Sequence, residues 1–233
     1  MDLNKNRQDD LKIYNNLDFY EEPKEYFKDC LKIINKKIKD PKKILDIGSA
    51  NGAFLNYLSK TFKSNILYGL EPVNELNLIS KKNTKARIFE ESLESFNPKD
   101  KYDVVTAMGV IGIFFDPEIF IKKIKSLLSK NGIAIILSPF NEENVDVIVN
   151  HRTSLNKKWE SGNNVFSQNS MNEICKKLSM DFEWKDFEIK FQIKKTNNPV
   201  RNWTEEFRNN KYHFISGLGM FYTMKFLIIS MKP

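Results

Sequence analysis

Apolar positions along this chain change spacing several times, and each change marks an element. Over residues 19 to 39 they recur with helical period. Phe27, Leu31, Ile34 and Ile38 share one face and Pro41 is the stop, which predicts an N-terminal helix. Ile44, Leu45 and Ile47 then form a short apolar run interrupted by Asp46, followed by the small-residue loop Gly48-Ser-Ala-Asn-Gly52 and a helix with Phe54 and Leu58 on one face. Asn65 to Leu70 predicts a second strand ending in Glu71, and Val73, Leu76 and Ile79 mark its helix. Ala86–Phe89 reads as a short third strand and Tyr102–Ala107 as a fourth. After Asp116-Pro117 a helix carries Phe120, Ile124, Leu127 and Leu128 and stops at Asn131-Gly132; Gly132–Ser138 is a fifth strand closed by Pro139. Near-continuous apolar strands alternating with amphipathic helices predict an α/β fold with a parallel sheet covered on both faces.

The tail departs from this alternation. Residues 140–167 are polar and without period, and Met171, Ile174, Cys175 and Leu178 then mark a helix. Phe182 and Trp184 alternate in one phase, while Phe187, Ile189, Phe191 and Ile193 alternate in the other. The slip at Lys185-Asp186 predicts a bulge or break, with the strand at Phe187–Ile193. Residues 194–219 read as irregular, and Phe221–Met231 as the last strand. Two long loops in a compact domain point to function, and these carry His151, Arg152, Lys157, Lys158, Trp159, Arg201, Trp203, Arg208 and His213.

A chain of 233 residues with 41% apolar content can bury one full core, so the expectation is one domain over 1–233, with residues 1–41 as a helical cap. The start, MDLNKNRQDD, has no apolar signal segment, and no apolar run reaches membrane-spanning length, which predicts a cytoplasmic protein without a membrane partner. Cys30 and Cys175 fall on apolar helix faces and read as core thiols, and two histidines without a Cys/His cluster argue against a metal. The net charge of +7 raises the question of nucleic acid. Acidic residues are interleaved with the lysines throughout, so the reading is a solvated surface and no nucleic-acid partner.

The strand–loop–helix around Gly48 carries the chemistry. Small residues let main chain and a helix N-terminus approach a nucleotide-like ligand. The carboxylate of Asp46 would repel a pyrophosphate and attract an amine or sulfonium, which selects S-adenosylmethionine (SAM). Glu71, at the end of the second strand, suits ribose hydroxyls in SAM and NAD proteins alike. An NAD-dependent reductase therefore stays open as an alternative, opposed by Asp46 and by the missing third glycine.

The blocks ILDIGSANG, LYGLEP, FEESLESF, YDVVTAMGV and LLSKNGIAIIL, in this order over residues 43 to 140, resemble the class I SAM-dependent methyltransferases. The resemblance implies a Rossmann-like seven-stranded sheet in the order 3-2-1-4-5-7-6, with only the last strand antiparallel. It also implies that Asp46 faces the amino-acid end of SAM, that Gly48, Ser49, Ala50, Asn51 and Gly52 lie under the methionyl and ribose parts, and that Glu71 and Pro72 meet the ribose. Ser92 and Leu93 would flank the adenine, and Ala107, Met108 and Gly109 would pass beside the methyl. Many small-molecule relatives carry a Glu-His or His-His pair before the Asp-Pro; here Gly112-Ile-Phe-Phe115 stands there. A base, if one is needed, is sought in His151 or His213, and Tyr14, Tyr20 and Tyr222 are further pocket candidates. The fourth-strand end lacks the Asn-Pro-Pro-Tyr type signature of base methyltransferases. That leaves a small molecule held by Phe114, Trp203, Arg152 and Arg201: an oxygen acceptor, anionic in keeping with those arginines, such as a phosphorylated or nucleotide-linked sugar. The chain is expected to act as a monomer or homodimer. A SAM-binding protein without activity, a regulator or partner subunit, is the other alternative.

Overall fold

The computed structural model describes residues 14, 17–152, 159–161, 163–195, 202–207, 211–215 and 221–231. The N-terminal helix is two helices, α1 (Asp18–Glu21) and α2 (Glu25–Lys37). Pro23 lies between them; a proline disfavours helical backbone at the residue before it, and Glu22 takes φ −108° and ψ 85°. α2 buries Phe27, Cys30, Ile33 and Ile34, so the apolar face read from the spacing is the face that packs.

Five strands follow with their helices: β1 (Ile44–Ile47), α3 (Ala53–Ser59), β2 (Leu67–Leu70), α4 (Asn74–Asn83), β3 (Arg87–Phe89), β4 (Tyr102–Met108), α5 (Pro117–Leu127) and β5 (Leu128–Asn141). Asp116 caps α5, its carboxylate accepting from the Glu118 and Ile119 amides, with Pro117 at the first helical position. β5 begins before Gly132 and runs on through Pro139, which sits opposite Met224. Beyond it come a ribbon of β6 (Asn150–His151) and β7 (Glu160–Ser161), then β8 (Phe166–Ser167), α6 (Gln168–Lys177), β9 (Met180–Phe187), β10 (Trp203–Phe207), β11 (Lys211–Ile215) and β12 (Phe221–Met231).

The central sheet runs β3-β2-β1-β4-β5-β12-β9. β12 is antiparallel to both neighbours and the other strands are parallel, which is the order the sequence resemblance implied. Three details differ. The sixth strand is Met180–Phe187 in unbroken register with β12, and no bulge interrupts it. The apparent phase slip is one strand showing both faces: Met180, Phe182 and Trp184 pack on one side and Phe187 on the other. Residues 194–219 are not wholly irregular, because β10 and β11 form a hairpin that meets the start of β12; Thr204, Glu205 and Glu206 hide its alternation. β8 adds a short parallel pairing at the end of β5.

The core lies on both faces of this sheet. On one, α5 and α6 bury Phe120, Ile121, Ile124, Met171 and Cys175 against Leu45, Ile47, Val105 and Ile136. On the other, α2 and α3 bury Phe27, Ile34, Phe54 and Leu58 against Ile44, Val104, Ile135 and Phe226. Cys30 and Cys175 are free, buried thiols in opposite clusters, so the sheet separates them. Strand alternation puts Asp46 and Thr106, which face each other in the β1–β4 register, on the α2–α3 side with Ile44 and Val104.

Candidate functional site

The chain leaves β1 toward β2 and β3, then returns past β1 to β4. The carboxyl ends of β1, β2 and β4 are therefore adjacent at the point where strand order reverses, the usual place for a ligand crevice in an open α/β sheet. A pocket of about 840 Å³, partly open to solvent, occupies this place. One wall is Gly48 and Ala50 after β1, the next is Glu71, Pro72 and Val73 after β2, and the third is Met108, Gly109 and Val110 after β4. Ser92 and Leu93 line the end beyond β3, Ile113 and Phe114 close the rim, and Tyr14 enters from the N-terminal side.

The loop after β1 is fixed by its backbone. Gly48 and Ser49 amides both donate to the Leu70 carbonyl, at 2.8 and 3.2 Å. Gly48 has φ +68°, and a Cβ there would lie 2.7 Å from Val110 Cγ2. Gly109 has φ +74°, and a Cβ there would meet nothing within 4 Å. The chain thus withholds a side chain at the one point where it would stand in the open pocket. Ser49, Asn51 and Gly52 do not line the cavity. The Ser49 hydroxyl is turned toward Gly69, where a Cβ would come within 2.7 Å of it, and Asn51 Oδ1 accepts from the Ala53 amide at the start of α3.

Glu71 is only 6% exposed. Its Oε2 accepts from the Ala50 amide and its Oε1 from the Val73 amide, both at 3.0 Å. The Asn77 side-chain amide donates to the Glu71 carbonyl at 2.6 Å. These bonds fix the carboxylate at the pocket wall.

Asp46 lies beneath the loop rather than on the wall. It is 3% exposed, and the Thr106 hydroxyl donates to its Oδ1 at 2.7 Å. Burial pushes its carboxyl up to about 7; the Thr106 bond opposes this and the nearby Glu71 charge adds to it. On the same face, burial pushes the Cys30 thiol well up, with the Asp46 charge adding. Ala107 is a fully buried core residue of β4, and the Met108 and Gly109 that follow it reach the pocket.

The tail loops build a different structure from the one expected of them. His151 is half-buried in the β6–β7 ribbon opposite Glu160, and His213 stands opposite Glu205 in the β10–β11 hairpin. Neither lines the pocket. Arg152 stacks on Trp159, 5.1 Å from its ring centroid. Trp203 is buried, its indole N–H donating to Glu205 Oε1 at 2.7 Å with Lys195 over the ring. Arg201, Lys157, Lys158 and Arg208, and the Tyr222 side chain, lie outside the described residues. Arg152 and Trp203 are thus engaged by neighbours in their own short ribbons.

What the tail does supply is Asn164, and nothing in the sequence signals it. Asn164 is 1% exposed. Its Nδ2 donates to the Phe114 carbonyl at 2.8 Å, its amide to the Gly112 carbonyl at 2.7 Å, and its Oδ1 accepts from the Val149 amide at 2.9 Å. The segment that stands in place of the Glu-His pair is thereby pinned as a wall. Asn164→Ala should loosen that wall and cost on the order of 1–3 kcal/mol of stability, because Phe114 C=O and Val149 N–H lose their partner; thermal unfolding checks it.

Fold and crevice together define an α/β protein with a nucleotide-type pocket at the switch point. Residues 20–183 match the family model described as "Methyltransferase domain", and the chain belongs to that family. Solved structures share the fold at low identity. The plantazolicin methyltransferase BpumL, in complex with a pentazolic desmethylPZN analogue and S-adenosylhomocysteine (SAH), is 15% identical over 97% of this chain and 93% of its own, with TM-score 0.59. A SAM-dependent methyltransferase from Clostridium acetobutylicum is 12% identical over 97% and 99%, with TM-score 0.58. SAM-bound CalS10 from Micromonospora echinaspora, an amino pentose methyltransferase of calicheamicin biosynthesis, is 11% identical over 100% and 99%, with TM-score 0.58. Among curated protein sequences none matches. Among the described residues no His/Cys/Asp/Glu group could hold a metal, and no helix is long and apolar enough to cross a membrane.

Proposed function

We propose that this protein transfers a methyl group from SAM to an oxygen of a small molecule. The observation that carries the reading is the pairing of two buried acids with a side-chain-free opening. Glu71 is held by two backbone amides on the pocket wall, Asp46 lies under the β1 loop, and Gly109 opens onto empty space between them and the rim. These groups suit the ribose diol, the methionyl ammonium and the methyl in that order. A dinucleotide suits them poorly, since its pyrophosphate would lie over a carboxyl group at the β1 loop.

When bound, SAM supplies an electrophilic methyl on a sulfonium whose thioether leaves without further activation. The chain's own residues then have to position and to exclude water. Glu71 would take the ribose hydroxyls, and the Ala50 and Val73 amides prevent it from swinging. Asp46, ionised, would balance the ammonium through the loop. Val110, Ile113 and Phe114 would shield the reacting end from water, and the open space at Gly109 would leave room for an acceptor. Such alignment is worth up to roughly 7–11 kcal/mol, which is why a methyltransferase can work without a dedicated base. No histidine lines the described wall, so a hydroxyl proton released late in the transfer would pass to a wall carboxylate such as Glu91 or Glu94 or out through the open side of the pocket.

The wall bears on the acceptor. Its charged residues are Glu71, Glu91 and Glu94, and neither Lys nor Arg is among them. An anionic, phosphorylated acceptor therefore has no counter-charge on the described wall, and Ile113 and Phe114 favour a neutral, partly apolar one. Solved structures of this fold include a methyltransferase in complex with a plantazolicin analogue, an amino pentose methyltransferase and an O-methyltransferase from a Brevibacillus brevis polyketide multienzyme, which supports a small-molecule acceptor in class.

Isothermal titration with SAM, SAH and NAD tests the cofactor, with binding expected for the first two and none for NAD; tight NAD binding would overturn the reading. Glu71→Ala is expected to weaken SAM by about 1–3 kcal/mol, since a ligand hydroxyl pair loses a charged acceptor. Turnover assays on pools of neutral and phosphorylated hydroxyl compounds test the acceptor, and preference for the phosphorylated pool would reverse the argument from the wall.

A further inference from the structure

Glu71 is held through both its main chain and its side chain. Its amide donates to the Phe89 carbonyl at 3.0 Å, its carboxylate accepts from the Ala50 and Val73 amides, and its carbonyl accepts from Asn77 Nδ2 at 2.6 Å. Asn77 also donates its own amide to the Val73 carbonyl at 3.0 Å. Three residues thereby close a ring. The Glu71 carboxylate binds the Val73 amide, the Val73 carbonyl binds the Asn77 amide, and the Asn77 side chain returns to the Glu71 carbonyl. The ring joins the end of β2 to the first turn of α4, and the Ala50 amide ties it to the loop after β1.

Asn77 is an unfavourable residue for packing alone. It is wholly buried, and among the described residues its Oδ1 has no hydrogen-bond partner. The buried residues of α4 are Leu76, Asn77 and Ser80. An apolar side chain at position 77 would fill the same place without an unpaired oxygen, and leucine is also the better helix former. What the asparagine adds is one donor, aimed at Glu71. A polar group kept at a cost inside a fold points to the site it serves.

We propose that Asn77 is a positioning residue for the cofactor's ribose, holding the Glu71 carboxylate where the two ribose hydroxyls meet it. The proposal rests on the reading of the pocket as a SAM site with Glu71 at the ribose. Asn77 does not line the described pocket wall and acts on the cofactor through Glu71. Without the Nδ2 donor, the Glu71–Pro72 peptide is free to turn toward another partner, and Pro72 has no amide hydrogen to hold it. That turn carries the carboxylate away from the Ala50 amide. A carboxylate set in advance selects a diol, because it meets both hydroxyls without first being ordered. One that swings loses that selection, while the contacts to the adenine and methionyl parts stay.

Displacement of radiolabelled SAM from the full chain by SAH and by its 2′,3′-dideoxy analogue tests this. The parent should prefer SAH by about tenfold or more, since the analogue lacks both hydroxyls that a charged acceptor would take. Asn77→Leu is expected to weaken SAH about tenfold and the analogue by less than about twofold, so that the preference collapses. Asn77→Ala, which adds no bulk to the helix face, should do the same and serves where the leucine variant does not give a cooperative melt. A merely structural role for Asn77 would weaken both ligands equally and leave their ratio at the parent value; that result overturns the proposal. So does an unchanged SAH affinity in either folded variant, or a parent that does not distinguish the two ligands. A parent that binds no SAM removes the cofactor reading and this proposal with it, a failure visible before any variant is made.

Discussion

Gly48→Val is expected to abolish SAM binding, with a loss of a hundredfold or more, while the chain still folds. Two independent costs fall on this position. The backbone there is left-handed, at φ +68°, which costs an ordinary L-residue roughly 1–2 kcal/mol and a β-branched one more. The added Cβ would also come within 2.7 Å of Val110 Cγ2. Val110 is 8% exposed and packed in the core cluster under the α5 face, so its way out is into the pocket, where the cofactor must lie. The alternative is a shift of the β1 loop itself. That would break the Gly48 and Ser49 bonds to the Leu70 carbonyl and pull Ala50 away from Glu71. Either relaxation removes the site and leaves the two main clusters intact, so titration should show no SAM heat from a protein with a cooperative melt. Gly109→Ala is the matching contrast. Its backbone is equally left-handed but its Cβ meets nothing. SAM affinity should fall little there, and turnover should fall strongly, because the methyl group of alanine stands where the acceptor must approach. If Gly48→Val binds SAM as the parent does, the loop is not the cofactor's seat.

Much of this arrangement was legible in the sequence, for identifiable reasons. The parallel half of the sheet was readable because its strands are buried on both faces, so Ile44–Ile47 and Tyr102–Met108 appear as short, mostly apolar runs with only Asp46, Asp103 and Thr106 as polar positions. The Gly48 loop and Glu71 were readable because small residues and a lone acid at strand ends have few other uses. The sixth strand was placed too late because Phe182 and Phe187 face opposite sides, and alternate-phase aromatics look the same in a slipped strand and in one buried on both faces. The β10–β11 hairpin was hidden because Glu205 and Glu206 follow Trp203-Thr204 without regular alternation. Asn164 could not be read at all. Its role depends on carbonyls at Gly112 and Phe114, about fifty positions away in the chain, and backbone acceptors leave no mark in side-chain pattern. The histidines are the converse case. Residue type suggested a base, but strand pairing sets where a tail residue stands, and His151 and His213 lie in short ribbons away from the described pocket wall.

SAM affinity is expected to rise with pH through about 6 to 8 and to level off above, and Asp46→Asn should remove this dependence. The Asp46 carboxyl is held up near 7, chiefly by burial, so near pH 6 it is mostly protonated and presents no charge to an ammonium. Below its pKa, each unit of pH should cost SAM binding up to about tenfold, because the ligand must first drive the proton off. Near pH 7 binding should release that proton, which calorimetry detects as a binding enthalpy that changes with the ionisation enthalpy of the buffer. The same shift acts on the empty protein with the opposite consequence. A carboxyl raised from 3.8 toward 7 keeps its proton in the folded state and loses it in the unfolded chain between those values. The folded state therefore loses stability as pH rises from about 4 to about 7, by a sum on the order of 4 kcal/mol, and loses no more above. This is the reverse of the usual carboxylate, whose pairing stabilises the fold at neutral pH. Asn at position 46 keeps an oxygen for the Thr106 hydroxyl and has no proton to lose. Asp46→Asn should accordingly melt like the parent near pH 4 and well above it at pH 8, while binding SAM more weakly at pH 8. Tyr26 and Cys30 lie close by, and their raised pKa values keep both neutral across this range, so the difference between parent and variant isolates Asp46. Gain of stability together with loss of affinity in one substitution is the result expected of a charge buried for a ligand. A variant that melts lower than the parent at pH 8 would show that the carboxylate serves the fold instead.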